Sequence, residues 1–286
     1  MTRLGRLSTR KALPSDKNSI LRISKNIWGG KDYVNKIVGN WISDDSGEFI
    51  LGLTDEEIVS FYHLAYNGDQ SWMEALRVDV SHRRQGIATE LVVDAMNRAR
   101  KNGTNVIRLI TALENTASRR LFSNYGFSES LFLTHRKLQG QIHVKPESSN
   151  VRLIGKEDLS RYFERYAEFS RGMMLLPVWW RWWRADQQLL DEFLVNGSVI
   201  ASCPDGRING LLLYMRTGRF GFSNAIQISF IDGSSESIRA MLSYLPQSQD
   251  NSGYFSIHSQ DSIADRMLGE IGFSTGTDLV IMQKDL

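Results

Sequence analysis

The sequence has 286 residues, which is enough for two domains of ordinary size with an apolar core each. Its 42% hydrophobic and 23% charged residues are typical of a globular protein and argue against disorder or low-complexity repeats. The single cysteine, Cys203, excludes an internal disulfide framework and a cysteine-based zinc site. No apolar run is long enough to cross a bilayer and no secretory signal is visible, so we expect a soluble, cytoplasmic protein that does not associate with membranes.

Charge is distributed unevenly between the two halves of the chain. Residues 1–150 carry 21 Lys and Arg against 16 Asp and Glu, whereas residues 151–286 carry 13 against 16. The first half therefore suits an anionic ligand better than the second. No basic stripe is dense enough to favour nucleic acid, and the five histidines lack the spacing of a metal-binding set, so we expect neither partner.

The predicted elements of the first half alternate between strands and helices. They are a strand at 7–12, a helix at 14–24, a helix with a loop at 28–41, strands at 48–53, 58–66 and 72–80, a helix at 87–101, a strand at 106–112, a helix at 116–125 and a strand at 131–137. A strand, a helix and a second strand after residue 72 imply a crossover between parallel neighbours. We therefore expect an α/β fold with a mixed sheet flanked by helices.

Short segments recur in the same order in both halves of the chain. Arg10 and Asp16 recur as Arg152 and Asp158. The segment Arg120-Leu121-Phe122-x-x-Tyr125-Gly126-Phe127-Ser128 recurs as Arg266-Met267-Leu268-x-x-Ile271-Gly272-Phe273-Ser274, and an apolar run that ends near a lysine follows each copy, at 131–137 and 279–284. Three matches in one order favour a tandem duplication. The polar stretch between the copies indicates a linker at 140–150, which divides the chain into domains at 1–139 and 151–286.

The most informative stretch joins the predicted strand at 72–80 to the predicted helix at 87–101. It reads Leu76-Arg77-Val78-Asp79-Val80-Ser81-His82-Arg83-Arg84-Gln85-Gly86-Ile87-Ala88. Small residues at a helix start let backbone N–H groups approach an anion, and the helix N-terminus adds partial positive charge. Arg83 and Arg84 add full charges, so the stretch predicts a phosphate or pyrophosphate site. It is neither a Walker A loop nor a dinucleotide fingerprint.

The hexapeptide Arg83-x-x-Gly86-x-Ala88 resembles the acetyl-CoA signature Gln/Arg-x-x-Gly-x-Gly/Ala of the GNAT superfamily of N-acetyltransferases. Segments on either side resemble the same superfamily in the same order, and they are the Leu-Arg-Val-Asp strand, Asn115, Phe122 and Tyr125-Gly126-Phe127. The resemblance covers residues 7–138. The segment from Gly29-Gly30-x-Asp32-Tyr33-Val34 to Trp41, together with Trp72-x-Glu74, is similar to the histidine N-acetyltransferase-like branch.

The resemblance implies acetyl-CoA-dependent acetylation of an amine on a small molecule, an amino acid or a peptide. It also implies that the strand carrying Val78 and Val80 splays from its parallel neighbour, so that pantetheine pairs with the strand as an added peptide would. The residues implied to hold acetyl-CoA are Val78, Asp79, Val80, Arg83, Arg84, Gln85, Gly86, Ile87, Ala88, Thr89 and Asn115. Tyr33 and Arg77 are implied on the acceptor side, and Asn115 has a simple helix N-cap as its alternative role.

Acyl transfer to an amine needs a base, because most amines are protonated at neutral pH. Strand alternation predicts that Glu74 lies on the same face as Val78 and Val80, which makes it our expected general base; the alternative is a solvated strand carboxylate. Phe122 stands where the family usually has the Tyr that protonates the leaving thiolate. Tyr125, one turn further along, is the catalytic alternative, although its position is usually buried.

The second half lacks the arginines of the first at the corresponding strand-to-helix junction. There the segment 226–231 is followed by Asp232, Gly233, Ser234, Ser235 and Glu236, which puts acidic residues where pyrophosphate would lie. Like charge is unfavourable at that place, so we expect a degenerate second domain that does not bind CoA. The alternatives to a small-molecule enzyme are a non-catalytic acyl-CoA-binding sensor or scaffold and a protein N-acetyltransferase.

Overall fold

The computed structural model describes residues 7–25, 27–30, 32–144, 151–196, 198–217, 225–246, 253–259 and 262–286. The chain forms two compact units: unit 1 is Met1–Ser130 with Ile281–Leu286, and unit 2 is Leu131–Val280. Residues 145–150 of the predicted linker lie outside the described residues. Among the described residues, the helices are too short or too polar to pass through a bilayer.

The elements of unit 1 follow the predicted order closely. They are β1 (Ser8–Lys11), α1 (Lys17–Ser24), α2 (Val34–Ile42), β2 (Gly47–Thr54), β3 (Glu57–Asn67), β4 (Gln70–Val78), α3 (Ile87–Lys101), β5 (Val106–Ala112), α4 (Thr116–Ser123) and the first residues of β6 (Ser128–Leu138). The strand predicted at 72–80 ends two residues early. The side chain of Asp79 accepts a hydrogen bond from the Ser81 N–H and starts a short helical turn at Val80–His82, which ends the strand.

The sheet of unit 1 is covered on both faces. Its order is β1, β2, β3, β4, β5 and then the end of β14 (Ser274–Asp285), with β4 parallel to β5 and antiparallel pairing from β1 to β4. One face packs Tyr62, Leu64 and Met73 into the core that α3 completes. On the other face Trp41 of α2 packs against Phe49. This two-sided cover is the predicted α/β arrangement.

β4 and β5 separate after a short run of pairing. Gln70, Ser71 and Trp72 pair with Val106, Ile107 and Arg108. β4 then continues to Val78 and β5 to Ala112 with no further β4–β5 pair in the described part of the sheet. The divergence that the family resemblance implied is therefore present, and it opens the sheet beside the second half of β4.

A β-bulge in β4 changes which face its later residues occupy. His63 of β3 pairs with Glu74, whereas Phe61, two residues earlier, pairs with Arg77, three residues later. β4 thus carries one extra residue at this point, where Ala75 has a φ of 56°. Glu74 and Arg77 consequently lie on one face, the face of Phe61 and His63.

The bulge overturns one expectation about the site. Val78 pairs with Ser60 and packs against the α3 core, so it faces away from Glu74. The prediction that Glu74, Val78 and Val80 share one face is wrong, because strict alternation holds only in a strand without an inserted residue. Val80 is itself outside the strand and exposed.

Unit 2 repeats the pattern of strands and helices. Its elements are β7 (Val151–Leu153), α5 (Lys156–Phe163), α6 (Ala167–Ser170), β8 (Leu175–Val178), β9 (Arg181–Arg184), α7 (Gln187–Asn196), β10 (Ser198–Ser202), β11 (Gly210–Thr217), β12 (Ala225–Gly233), α8 (Ser235–Ser243), β13 (Tyr254–Ser259), α9 (Ile263–Glu270) and most of β14. The sheet order is β7, β10, β11, β12, β13 and β6. β12 and β13 are parallel for three residue pairs and then separate, as β4 and β5 do in unit 1.

The repeated sequence segments adopt the same local structure in both units. Gly126 and Gly272 follow α4 and α9 with φ of 80° and 102°, a conformation that favours glycine at a helix end. The next residue is a buried Phe in each copy, Phe127 or Phe273. At the front of each unit an Arg–Asp ion pair recurs, Arg10–Asp16 at 2.6 Å and Arg152–Asp158 at 3.2 Å. These matches support duplication of one domain.

The boundaries of the compact units differ from the predicted division at 139 and 151 in two places. β6 belongs to unit 2 from Leu131 onward, and the final residues, Ile281–Leu286, belong to unit 1. The reason is packing: Met282 is fully buried in the core of unit 1, and the Leu286 N–H donates to the Asn105 carbonyl at 2.9 Å.

Candidate active site

The loop between β4 and α3 presents backbone N–H groups to solvent. α3 begins after Gly86, whose φ of 86° is in the left-handed region, and Arg84 has a φ of 61°. The first helical hydrogen bond runs from the Glu90 N–H to the Gly86 carbonyl. Within the described chain, no side chain caps the helix and no acceptor takes the N–H groups of residues 87–89. Such a helix start binds anions.

The side chains of this loop leave its positive charge exposed. Arg84 makes no hydrogen bond or ion pair with any described residue, whereas the Arg83 Nε donates to the Val78 carbonyl at 3.3 Å. A Cβ added at Gly86 would meet no atom within 4 Å, so the space before the helix is open. The predicted loop residues, Arg83, Arg84, Gln85, Gly86, Ile87, Ala88 and Thr89, therefore lie together at the start of α3 and fit a pyrophosphate.

The carboxylate of Asp79, which lies next to this positive loop, is already engaged in hydrogen bonds within the protein. One of its oxygens accepts a hydrogen bond from Arg22 at 2.8 Å, and the other accepts from the Ser81 N–H and hydroxyl. Partial burial would raise the pKa of the Asp79 carboxyl, but these hydrogen bonds and the Arg22 charge outweigh it and lower the pKa. Only the backbone of Asp79 is then available to a ligand beside β4.

Arg77 and Tyr33, the predicted acceptor-side residues, are close in space. The Arg77 guanidinium lies 5.7 Å from the centre of the Tyr33 ring and holds both carboxylate oxygens of Asp32, at 2.9 and 3.1 Å. Burial would lower the pKa of Arg77, but Tyr33 and Asp32 outweigh this effect and raise it. Arg77 therefore anchors the segment before α2 to β4, a contact that sequence reasoning did not find.

Glu74 lies on the same face and faces a buried histidine. The His63 Nδ1 is 3.1 Å from Glu74 Oε1, and the His63 Nε2 is 3.8 Å from Asp44 Oδ2. His63 is completely buried, and Glu74 keeps 8% of its side-chain exposure. His63 and Asp44 were not predicted to belong to the site.

The predicted residues of α4 have mainly structural contacts. The Asn115 Oδ1 accepts from the Ser118 N–H at 3.1 Å, which is the helix N-cap that we considered as its alternative role. Phe122 is buried and packs edge-on against Phe127, and Tyr125 packs against the same core. A catalytic role for Tyr125 stays a prediction.

The junction in unit 2 that corresponds to the loop is much shorter. Only Ser234 separates β12 from α8, and its hydroxyl accepts from the Ser237 N–H, so a side chain already caps this helix. The Asp232 carboxylate accepts hydrogen bonds from the hydroxyls of Tyr162 and Tyr166. In the described part of unit 2, this helix start has neither the open loop nor the arginines of unit 1.

A family comparison agrees with this geometry. Residues 18–127 match the model of the acetyltransferase (GNAT) family, and this range includes β4, the loop, α3 and α4. The match covers less than half of the chain, and over this range the chain is similar to the acetyltransferase family, in agreement with the predicted resemblance. No curated protein matches the sequence.

Solved structures extend the GNAT fold beyond the matched residues. A GCN5-related N-acetyltransferase from Sphaerobacter thermophilus aligns with 98% of this chain and 95% of its own, at 12% identity and a TM-score of 0.65. A protein from Thermoplasma acidophilum, provisionally assigned as an acetyltransferase, aligns with 98% of this chain and 100% of its own, at 16% identity and a TM-score of 0.62. A GCN5-related N-acetyltransferase from Kribbella flavida aligns with 98% of this chain and 72% of its own, at 14% identity and a TM-score of 0.54. At these identities the comparison concerns the fold, which covers both units as predicted.

Proposed function

We propose that this GNAT protein transfers the acetyl group of acetyl-CoA to the amine of a small molecule, an amino acid or a peptide. The observation that carries the proposal is the opening between β4 and β5. The anion-binding loop and Val78 belong to the α3 side of the sheet at this opening, whereas Glu74, Arg77 and Tyr33 belong to the opposite side. A cosubstrate and an acceptor can thus approach β4 from different sides.

Unit 1 has the groups needed to hold acetyl-CoA, which supplies an activated acyl thioester when bound. The N–H groups of residues 85–89 and the side chains of Arg83 and Arg84 would hold the pyrophosphate. The unpaired edge of β4 up to Val78 would hold the pantetheine through backbone hydrogen bonds. Asp79 and Val80 would contribute through their backbone, and Asn115 through the amide N–H groups that its N-cap leaves available.

The residues of the opposite face would carry the proton chemistry. An ammonium acceptor must lose a proton before its nitrogen attacks, and Glu74 would receive that proton directly or through water. A backbone N–H near Val78 would stabilise the negative oxygen that forms on the attacked carbonyl. A thiol has a reference pKa of about 8.5, so the thiolate can leave without a dedicated acid where the family Tyr is replaced by Phe122.

The residues on the acceptor side indicate which class of amine to test first. The Asp32–Arg77 ion pair fixes the segment that includes Tyr33 against β4, beside Glu74. The same segment carries the resemblance to the histidine N-acetyltransferase-like branch, so free amino acids are the first acceptors to test, with histidine among them.

The direct test measures thiol release from acetyl-CoA with free amino acids, polyamines and short peptides as acceptors. We expect saturable, acceptor-dependent release with a member of this set, and a large loss of that release in Glu74→Gln. Buried Phe122 favours a second candidate, a sensor that binds acyl-CoA without turnover. Tight acetyl-CoA binding without release on any acceptor would replace the enzyme proposal with that one.

A further inference from the structure

His63 is a fully buried titratable residue with a carboxylate at each ring nitrogen. Its Nδ1 is 3.1 Å from Glu74 Oε1, and its Nε2 is 3.8 Å from Asp44 Oδ2. Glu74 has 8% of its side chain exposed and Asp44 has 22%, so the three groups run from the interior of unit 1 towards its surface. A buried imidazole is costly unless polar groups face it, and here two acidic side chains do.

The surroundings of His63 fix the orientation of its ring. The imidazole stacks on Trp41 at 4.7 Å with an angle of 12° between the planes, and Phe49 lies 6.1 Å away. Gly47 gives the ring room, because a Cβ there would lie 3.1 Å from the His63 Nε2. Asp44 is held in turn, since its Oδ1 accepts from the Ser46 N–H at 2.9 Å. A ring held in this way can hold a neighbouring carboxylate in one orientation.

We propose that His63 is the positioning residue of Glu74, with its Nδ1–H directed at Oε1 so that the second oxygen is left for the acceptor amine. This inference rests on the proposed role of Glu74 as the base. The proton is assigned to Nδ1 because the nearer carboxylate oxygen lies 3.1 Å from that nitrogen, against 3.8 Å at Nε2. His63 touches no reacting atom and acts only through Glu74.

The charges around Glu74 decide the direction of the effect. On this face, β4 carries Glu74 and Arg77. The segment before α2 contributes Asp32, which pairs with Arg77, and Tyr33, and α2 is followed by Asp44. β2 and β3 contribute the uncharged rings of Phe49 and Phe61 besides His63 itself. Burial favours the protonated form of a carboxyl, and an N–H donor favours its ionised form. Removing the His63 donor therefore favours the protonated form of Glu74, which cannot act as a base, and moves its ionisation to higher pH.

Two substitutions at one position separate positioning from simple packing. His63→Leu removes the donor, whereas His63→Asn keeps an amide N–H near the place of Nδ1. At pH 7 we expect His63→Leu to lower kcat about tenfold or more. In a profile of kcat against pH, the acid limb should move to higher pH by about one unit. His63→Asn should stay within about threefold of the wild type, and the KM for acetyl-CoA should be unchanged in both.

A packing control uses Phe49, a buried neighbour of the same ring. Phe49→Leu should lower the melting temperature and leave the acid limb where it is. The inference is overturned if folded His63→Leu keeps the wild-type kcat and profile, or if Phe49→Leu moves the limb as far. If His63→Leu does not fold, His63→Gln replaces it, because its longer side chain places the amide towards Asp44 and away from Glu74.

Failure of this inference differs from failure of the proposed function. Wild-type kcat in Glu74→Gln would remove the base from the proposed function, whereas a slow Glu74→Gln with a normal His63→Leu would overturn the positioning role alone. A readout without turnover is the carbon NMR titration of the Glu74 carboxyl in glutamate-labelled protein. We expect its midpoint to rise in His63→Leu and to return towards the wild-type value in His63→Asn; an unchanged midpoint in His63→Leu contradicts the inference.

Discussion

Replacing Gly86 tests the proposed anion site of unit 1 most directly, because the structure separates the effects of backbone strain, steric bulk and charge. Gly86 has a φ of 86°, so any other residue there has a backbone strain of about 1 kcal/mol. The added side chain causes no steric clash within the protein, since a Cβ at this position meets no atom within 4 Å. Gly86→Ala and Gly86→Glu share the strain, and they differ by a carboxylate placed before the start of α3.

The expected loss of affinity follows from that one added charge. Two unit charges 4 Å apart interact by about 1 kcal/mol in water and about 4 kcal/mol at an effective dielectric constant of about 20. Repulsion between the new carboxylate and a pyrophosphate should therefore weaken binding of acetyl-CoA by about fivefold to a thousandfold relative to Gly86→Ala.

Calorimetric titration of each folded variant with acetyl-CoA measures this difference, and thermal melting shows that both variants fold. Arg84→Ala is a useful companion, because it removes a positive charge from the same loop without altering the start of α3. Equal affinity in Gly86→Glu and Gly86→Ala would show that the pyrophosphate lies elsewhere and would refute the assignment of the loop.

Four further outcomes can be checked on the same protein. Titration with acetyl-CoA should give one site per chain, since in unit 2 only Ser234 joins β12 to α8, and two equivalent sites would contradict a degenerate second domain. Glu74→Gln should lower kcat by about 10²–10⁴-fold without changing acetyl-CoA affinity, and the deficit should shrink as pH rises towards the pKa of the amine. Asp32→Ala leaves the buried charge of Arg77 without that carboxylate and should destabilise the protein by about 3–5 kcal/mol in urea unfolding; a change under about 1 kcal/mol would argue against an anchor. Burial above all lowers the pKa of His135 from 6.5 to about 4, so the unfolded state binds a proton first as pH falls. The free energy of unfolding should therefore decrease by about 3 kcal/mol between pH 7 and pH 4, a dependence that His135→Gln should remove.

The sequence predicts the regular elements well because each has a local cause. Apolar residues at helical spacing and the closing Gly103 define α3, and its predicted bounds, 87–101, are those observed. The proposed anion-binding loop is equally local, since its residues are consecutive in the chain. The end of β4 was missed because a single side chain, Asp79, redirects the backbone.

The acceptor side was harder to predict because it depends on pairing between strands. Gly68 and Asp69 form a two-residue hairpin turn between β3 and β4. Counting residues back from this turn places His63 opposite Glu74, so the sequence could have predicted that the two residues are neighbours. The bulge at Ala75 has no comparable signal. A residue inserted on one strand shifts the register, and alternation then assigns every later side chain to the wrong face.

The placement of Ile281–Leu286 in unit 1 has a consequence for how the chain is made. A ribosome completes α3 before it reaches unit 2, but Met282, which fills the same core as α3, follows unit 2 in the chain. Unit 1 therefore cannot complete its folding during translation until the whole of unit 2 has been translated. The nascent first half carries an unfilled core through that interval, which makes the folding of unit 1 dependent on uninterrupted synthesis of unit 2.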